Sequence, residues 1–443
     1  MNLGIENKEI EKYFYILSKE IPDFLIEYAN VKEMQRLKGI SMVSACEHTK
    51  LIPYNFFHTR YEHSIGVALI VWNFTKDKKQ TIAGLYHDIA TPSFSHVVDF
   101  LHGDYEKQET TESLTERIIK NSEDIMELLK RDNIKVEEIE DYHIYPIADN
   151  DSPRLSADRL EYTLSDGLVT QNAFSLDSIK RIYDNLIILK NEEMIDELCF
   201  KDLEVAEEYV ERANIMWHLF SGNNENNMIM QFWTDILKKM VEFKYITEED
   251  LYKYSEKEIV DKIRKCPNKK IANDFAFFEN AREIGRSETK VEGKYCISIK
   301  TKKRYTNPLV LVDGKPIRIE NASAKGKAII ADIKSFKDSK YAFLDINMLA
   351  MQEKISIEGM DGAGKTTIAK QLAKKNNFKY VGNAIHKLFG IEDRESEIYK
   401  TFQAKEDEIF LRSGNDILRG WLCSLGNIYT ATQNEDIVVD RHI

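Results

Sequence analysis

From the N-terminus to about residue 270 the apolar residues keep a helical period, and that period constrains the fold more than any other feature. Residues 9–28, 61–74, 81–89 and 112–130 each set apolar side chains three or four positions apart, which gathers them on one helix face. Only eight prolines occur in 443 residues, so little interrupts such helices. From about residue 290 the texture changes. Residues 294–301, 309–312 and 328–333 read as short strands between Gly, Lys and Asp turns. A third texture begins near Gln352, where a strand, a Gly-rich loop and a helix follow one another. The expected build is a mainly α-helical domain over residues 1–270, a small α+β lobe over 271–350, and a partial α/β domain over 351–443.

Charge and cysteine usage narrow the partners. There are 62 basic and 74 acidic residues, for a formal charge of −12. Such a chain has no global attraction to DNA or RNA, so nucleic acid is not expected, whereas local cations can still hold a small anion. Cys46, Cys199, Cys266, Cys296 and Cys423 form no CxxC pair, and their odd number argues against a disulfide framework. The polar N-terminus precedes no signal-peptide core, and the longest apolar stretch, residues 66–72, falls far short of the ~20 residues that span a bilayer. The expectation is a soluble, cytoplasmic protein without a membrane partner.

Six of the ten histidines lie between His48 and His102. Arg60-Tyr61-Glu62-His63-Ser64 opens one apolar helix. Ala83-Gly84-Leu85-Tyr86-His87-Asp88 ends another, and Phe94-Ser95-His96 follows. Asp158-Arg159-Leu160-Glu161-Tyr162 comes much later, running on to Asp166. His87 and Asp88, adjacent at a helix end, can both point into one cavity. With His63 and Asp158 they offer two imidazoles and two carboxylates to one divalent ion, a mixed donor set that suits Mn, Fe, Co, Ni or Zn, and Mg less clearly. Such an ion would polarise a phosphoryl group and acidify a water. A single histidine on an apolar helix is more often a hydrogen-bonded core residue, but packing alone does not account for all four segments together.

At these residues the chain resembles the HD-domain superfamily, and within it the dGTPase-like branch of deoxynucleotide triphosphohydrolases. The resemblance covers roughly residues 30–320 and is most specific around 58–99 and 155–168. It implies His63, His87, Asp88 and Asp158 as metal ligands, with Arg60 and Arg159 binding phosphates. It places His96 and Asp99 beside the scissile phosphate, and Tyr162 and Asp166 along the sugar. Arg304-Tyr305-Thr306-Asn307-Pro308-Leu309 looks like a segment of the family's C-terminal lobe. Hydrolysis of a dNTP to deoxynucleoside and triphosphate, in a homo-oligomer, is what the likeness implies. Three positions depart from the pattern. Thr91 stands where the branch carries a further His, Thr111-Glu112 stands where it carries His-Glu, and Met42 replaces a Gln facing the sugar. The metal set is complete, while part of the phosphate and sugar set is altered.

Residues 355–358 read as a strand, and Gly359-Met360-Asp361-Gly362-Ala363-Gly364-Lys365-Thr366 then fits GxxxxGK[ST] without mismatch, followed from Thr367 by a helix. Glycines let backbone amides wrap phosphates, Lys365 reaches them, and Thr366 can ligate Mg²⁺. Together with Thr367, and with Asp440-Arg441 at the end of a second apolar strand, this resembles a thymidylate-kinase-like nucleoside-monophosphate kinase, which implies binding of ATP or a related nucleotide with Mg²⁺. The stretch from Gln352 to Ile443 has 92 residues, about half the length such kinases use, so the expectation is either a fragment of a longer protein or a naturally reduced kinase part. Three functions stay open: a nucleotide phosphohydrolase with a nucleotide-binding appendage, a nucleotide sensor with weak turnover, and a bifunctional salvage enzyme.

Overall fold

The helical period persists in three dimensions, with breaks where local chemistry demands them. The computed structural model describes residues 3–101, 114–169, 173–220, 222–300, 303–346, 354–357, 365–376, 379–382, 396–407 and 437–440. The helix expected over 9–28 is two helices, Lys8–Leu17 and Asp23–Ala29, because Pro22 drives the preceding residue out of helical backbone. The one expected over 112–130 divides at Ser122. That residue ends Thr115–Asn121, and its hydroxyl accepts from Ile125 N to cap Glu123–Asp132.

Two expectations about strands need correction. Residues 328–333 are not a strand but part of the helix Ala324–Ser335. Ser323 caps it by accepting from Gly326 N, and Ile330 and Ile333 share its buried face, so capping and burial override the β preference of the isoleucines. Inside the supposedly all-helical region, Leu186–Lys190 (β1) and Asp196–Phe200 (β2) form an antiparallel hairpin. The later strands are Gly285–Ser287 (β3), Tyr295–Ile297 (β4), Leu309–Val312 (β5), Lys315–Arg318 (β6) and Tyr341–Leu344 (β7). One sheet has the order β1-β2-β5-β6, with β2 parallel to β5, and another the order β3-β7-β4. The first sheet therefore draws strands from both sides of residue 270, and residues Met1–Ile346 cluster as one unit.

Asn347–Ile443 is the second unit. Its described residues comprise Lys354–Ile357 (β8), the helix Lys365–Asn376, Lys379–Val381 (β9), the helix Glu397–Asp407 and Ile437–Asp440 (β10). β10 lies between β8 and β9 and runs parallel to both. Among the described residues no helix is long and apolar enough to cross a membrane. Cys46, Cys199, Cys266 and Cys296 are free thiols, the first three of them buried.

Candidate metal centre

The helix Arg60–Thr75 is the axis of the site. Thr59 and Glu62 form a reciprocal cap, with Thr59 N donating to Glu62 Oε2 at 2.7 Å and Glu62 N to Thr59 Oγ1 at 3.3 Å. This cap sets the helix start, and with it the direction of Arg60 and His63. The helix packs on Lys78–Tyr86 and Ala157–Val169, so its sides are buried by Ile65, Val67, Ala68, Leu69, Ile70 and Val71. His87 ends the second of these helices, where its Nδ1–H donates to the Gly84 carbonyl at 2.8 Å, which turns Nε2 inward. Asp158 stands in the first turn of the third.

Ligand atoms of His63, His87 and Asp88 all lie within 4.8 Å of one another, and Asp158 stands beside the two imidazoles. His63 Nε2 lies 3.1 Å from His87 Nε2, 3.2 Å from Asp158 Oδ1 and 3.8 Å from Asp88 Oδ2. His87 Nε2 lies 3.5 Å from Asp88 Oδ2 and 3.8 Å from Asp158 Oδ1. Donors about 2.0–2.2 Å from a shared ion stand about 3–3.6 Å from one another; three of these five separations fall in that range and the two at 3.8 Å lie just outside it. The electrostatics favour positive charge at this position, which a proton on His63 supplies when no ion is bound. Burial opposes a charge on His63, yet Glu161 and Asp158 outweigh it and push the imidazole up to about 10. Burial would also raise Asp88, but Arg60, His87 and His63 hold it well below the usual carboxylate range. Burial would raise Asp158 as well, but its hydrogen bond to His63 and the charge of His87 hold it low, so two carboxylates are ionised around a position that a cation can fill.

The residue that sequence reading passed over is Glu161. It is 1% exposed, and its Oε2 accepts a short hydrogen bond from His63 Nδ1. Tyr13 OH donates to its Oε1 and Ser165 Oγ to its Oε2, both at 3.1 Å. Such a carboxylate behind a ligating histidine sets its tautomer and raises its basicity. Gly66 makes the room, since a Cβ there would meet Glu161 Oε1 at 2.5 Å. A signal was present: Asp158 and Glu161 are three residues apart on one helix and so share a face. Tyr142 was also missed. Its ring packs on His87 at 4.9 Å, and its hydroxyl reaches Asp158 Oδ2 at 3.5 Å.

His63, His87, Asp88 and Asp158 all stand on the wall of one cavity of about 520 Å³, and Arg60, His96, Arg159, Tyr162 and Asp166 line it too. Arg60 is 6% exposed and donates to Asp88 Oδ2 at 2.7 Å and to Ser95 Oγ at 3.1 Å. Arg159 is anchored through Asp149 at 3.0 Å and the Arg154 carbonyl at 2.7 Å. Burial, followed by the charge of Glu161, pushes Asp166 up to about 7, and burial pushes Tyr162 to about 12. Met42 and Thr91 also face the cavity, and Thr91 Oγ1 donates to Asp88 Oδ1 at 2.9 Å. Asn307 N donates to the Pro153 carbonyl at 2.7 Å, docking the segment that brings Lys303 and Arg304 to the same cavity, where Lys300 joins them. Val210, Met216, Phe220, Ile329, Ile330 and Ile333 give the same cavity apolar lining.

Other sequence-derived site residues lie where less is described. Asp99 belongs to the helix His96–Leu101, its side chain being outside the described residues, as are Thr111 and Glu112 altogether. Gly359, Asp361, Gly362, Ala363, Gly364 and Arg441 are outside them as well. Lys365, Thr366 and Thr367 begin the helix Lys365–Asn376, and Asp440 ends β10.

Comparison with known proteins places this geometry in context. Residues 60–171 match the HD domain family. The uncharacterized protein YdhJ of Bacillus subtilis is 27% identical over 306 residues, 69% of this chain and 89% of that protein. The metal-dependent phosphohydrolase cns2 of Cordyceps militaris is 24% identical over 292 residues, 62% of this chain and 78% of that one. A hypothetical protein from Aquifex aeolicus shares the fold with a TM-score of 0.53 at 18% identity, over 73% of this chain and 93% of its own. A phosphohydrolase from Bacteroides thetaiotaomicron does so with a TM-score of 0.53 at 14% identity, over 74% and 97%. At such identities the structural likeness speaks for the fold alone, which is the helical HD-domain fold. His63, His87, Asp88 and Asp158 all fall within the segment that matches the HD domain family.

Proposed function

We propose that the cavity binds a nucleotide and that the chain hydrolyses one of its phosphate bonds, acting on a dNTP to release deoxynucleoside and triphosphate. The observation that carries this reading is the convergence of His63, His87, Asp88 and Asp158 on a cavity that also holds cationic groups and apolar lining. A divalent ion held by those four residues supplies Lewis acidity toward a phosphoryl oxygen and lowers the pKa of water. Arg60, Arg159, Lys300, Lys303 and Arg304 give the surrounding wall the positive charge that phosphates need. His96 lines the cavity, and an imidazole there can give a proton to the leaving oxygen. The apolar lining offers a surface for the base. At Met42, where the dNTPase branch carries a Gln, one polar contact to the sugar is missing, which weakens discrimination between deoxy- and ribonucleotides.

The test is a panel of nucleotides with Mn²⁺, Mg²⁺ and Co²⁺, read for released phosphate, pyrophosphate and triphosphate. Triphosphate from dNTPs supports the reading, and cleavage of no nucleotide under any ion overturns it. Thr91 favours a second reading. Its hydroxyl is engaged by Asp88 where the branch has a His, which fits a nucleotide sensor with weak turnover. Saturable nucleotide binding without product would favour that reading. For the second unit, the strand β8, the GxxxxGK[ST] sequence and the helix Lys365–Asn376 support binding of ATP with Mg²⁺. Lys365→Ala should abolish that binding and leave the HD metal in place.

A further inference from the structure

The HD unit contains a second cluster with metal-ligand chemistry. Glu47 and His48 belong to the 3-10 turn Cys46–His48, and Glu256 is the first residue of the helix Glu256–Arg264. His48 Nε2 stands 3.4 Å from Glu47 Oε1 and 3.6 Å from Glu256 Oε2, and one ligand atom from each residue lies within 4.8 Å of the others. Glu256 is 2% exposed. Its Oε1 accepts from Phe94 N at 2.8 Å, while its Oε2 has no hydrogen-bond partner, and neither does His48 Nε2. Among the described residues no Lys or Arg forms an ion pair with Glu47 or Glu256.

A buried carboxylate and a half-buried one beside an imidazole, with no cation paired to them, are a poor thing to leave without compensation. A proton on His48 would balance one of the negative charges and leave the other. A divalent cation would balance both and occupy the lone pairs that no donor uses. We propose that Glu47, His48 and Glu256 hold a second divalent transition-metal ion through His48 Nε2 and an oxygen of each carboxylate. One nitrogen with oxygen donors suits Mn, Fe, Co or Zn.

This site is closed only in part, with Glu256 buried and the His48 and Glu47 side chains 13% and 26% exposed. None of its three residues lines the large cavity, and His48 packs against Trp233 and Phe94 with ring centroids 5.4 and 6.2 Å away. Sites kept away from such a cavity hold structure rather than perform chemistry. What this one would hold is the loop that feeds the first site. Phe94 and Ser95 take left-handed backbone, with φ of 67° and 47°, a costly conformation for residues other than Gly that needs external support. Glu256 supports it at Phe94 N, and the Leu251 carbonyl does so at Ser93 N, 2.7 Å away. Ser95 then receives Arg60, which binds Asp88, and His96 follows directly.

The test is a metal count on the full chain, stripped with chelator, titrated with Co²⁺ in the absence of nucleotide and freed of unbound ion. Wild type should keep a second equivalent of Co²⁺. Glu256→Gln and His48→Gln should each lose one equivalent and keep the other. Asp158→Ala should lose the first and keep the second, and Asp158→Ala/His48→Gln should bind none. If Glu256→Gln does not fold, Glu47→Gln reads the same loss. In the Asp158→Ala background, Co²⁺ should still raise Tm, and His48→Gln should remove that rise. A wild-type chain with one equivalent, abolished by Asp158→Ala alone, overturns the proposal. The count needs no turnover, so an error about the substrate leaves it untouched.

Discussion

His63, His87, Asp88 and Asp158 stand on the wall of a cavity of about 520 Å³, whereas Glu47, His48 and Glu256 touch none of it. Both clusters mix imidazole with carboxylate, so ligand type does not separate them. Their surroundings do. The open cluster is flanked by Arg60, Arg159 and His96 and faces room for a ligand. The partly closed one is packed under Phe94 and Trp233. Histidines and carboxylates thus mark where an ion can sit, while access decides whether it can act on a substrate.

The strongest way to break this contrast is Asp158→Ala. It should abolish nucleotide hydrolysis and the metal equivalent of the open cluster. Metal analysis and turnover together decide, and a variant that keeps both would show that Asp158 is not a ligand. His96→Ala should come next, lowering turnover by about 10²–10⁴-fold with metal content unchanged. Turnover equal to wild type would remove His96 from the chemistry.

Glu161→Gln sharpens the comparison from behind the ligands. It should weaken metal affinity at the open cluster, or activity, by about 10–100-fold and leave the partly closed cluster alone. Gly66→Ala, whose Cβ would collide with Glu161, should move the same readout in the same direction. Competition with a metal-binding dye measures both, and unchanged affinity in both variants would make Glu161 a packing residue only.

A different readout of the open cluster's surroundings is stability against pH. An aspartate in an unfolded chain titrates near 3.9, while burial places Asp166 at about 7. Between those values the folded state holds the extra proton. Metal-free wild type therefore loses stability from this group as pH rises from about 4 to about 7, by at most about 1.4 kcal/mol per pH unit. Asp166→Asn cannot titrate, so over that window it should lose less than wild type in denaturant titrations. Parallel curves for the two proteins would assign the dependence to other groups.

Local pattern carried much of what could be read beforehand. The apolar spacing of 61–74 became the helix Arg60–Thr75, and His87-Asp88 proved to follow directly on a helix end. Spacing failed where a single residue sets the break, as at Pro22 and Ser122, and where a cap and a buried face outvoted β-branched residues in 328–333. Glu161 was legible only as one more charge on a helix until His63 was seen against it.

What the sequence determined by itself is which residues have helical period and which carry ligand chemistry, because both follow from side-chain type and neighbours three or four positions away. Only the tertiary structure decided that β2 runs beside β5, that Glu161 braces His63, and that Glu256 meets Glu47 and His48. These pairings join segments far apart along the chain. They form because burial must satisfy polar groups wherever packing happens to bring them together, and no local period encodes that.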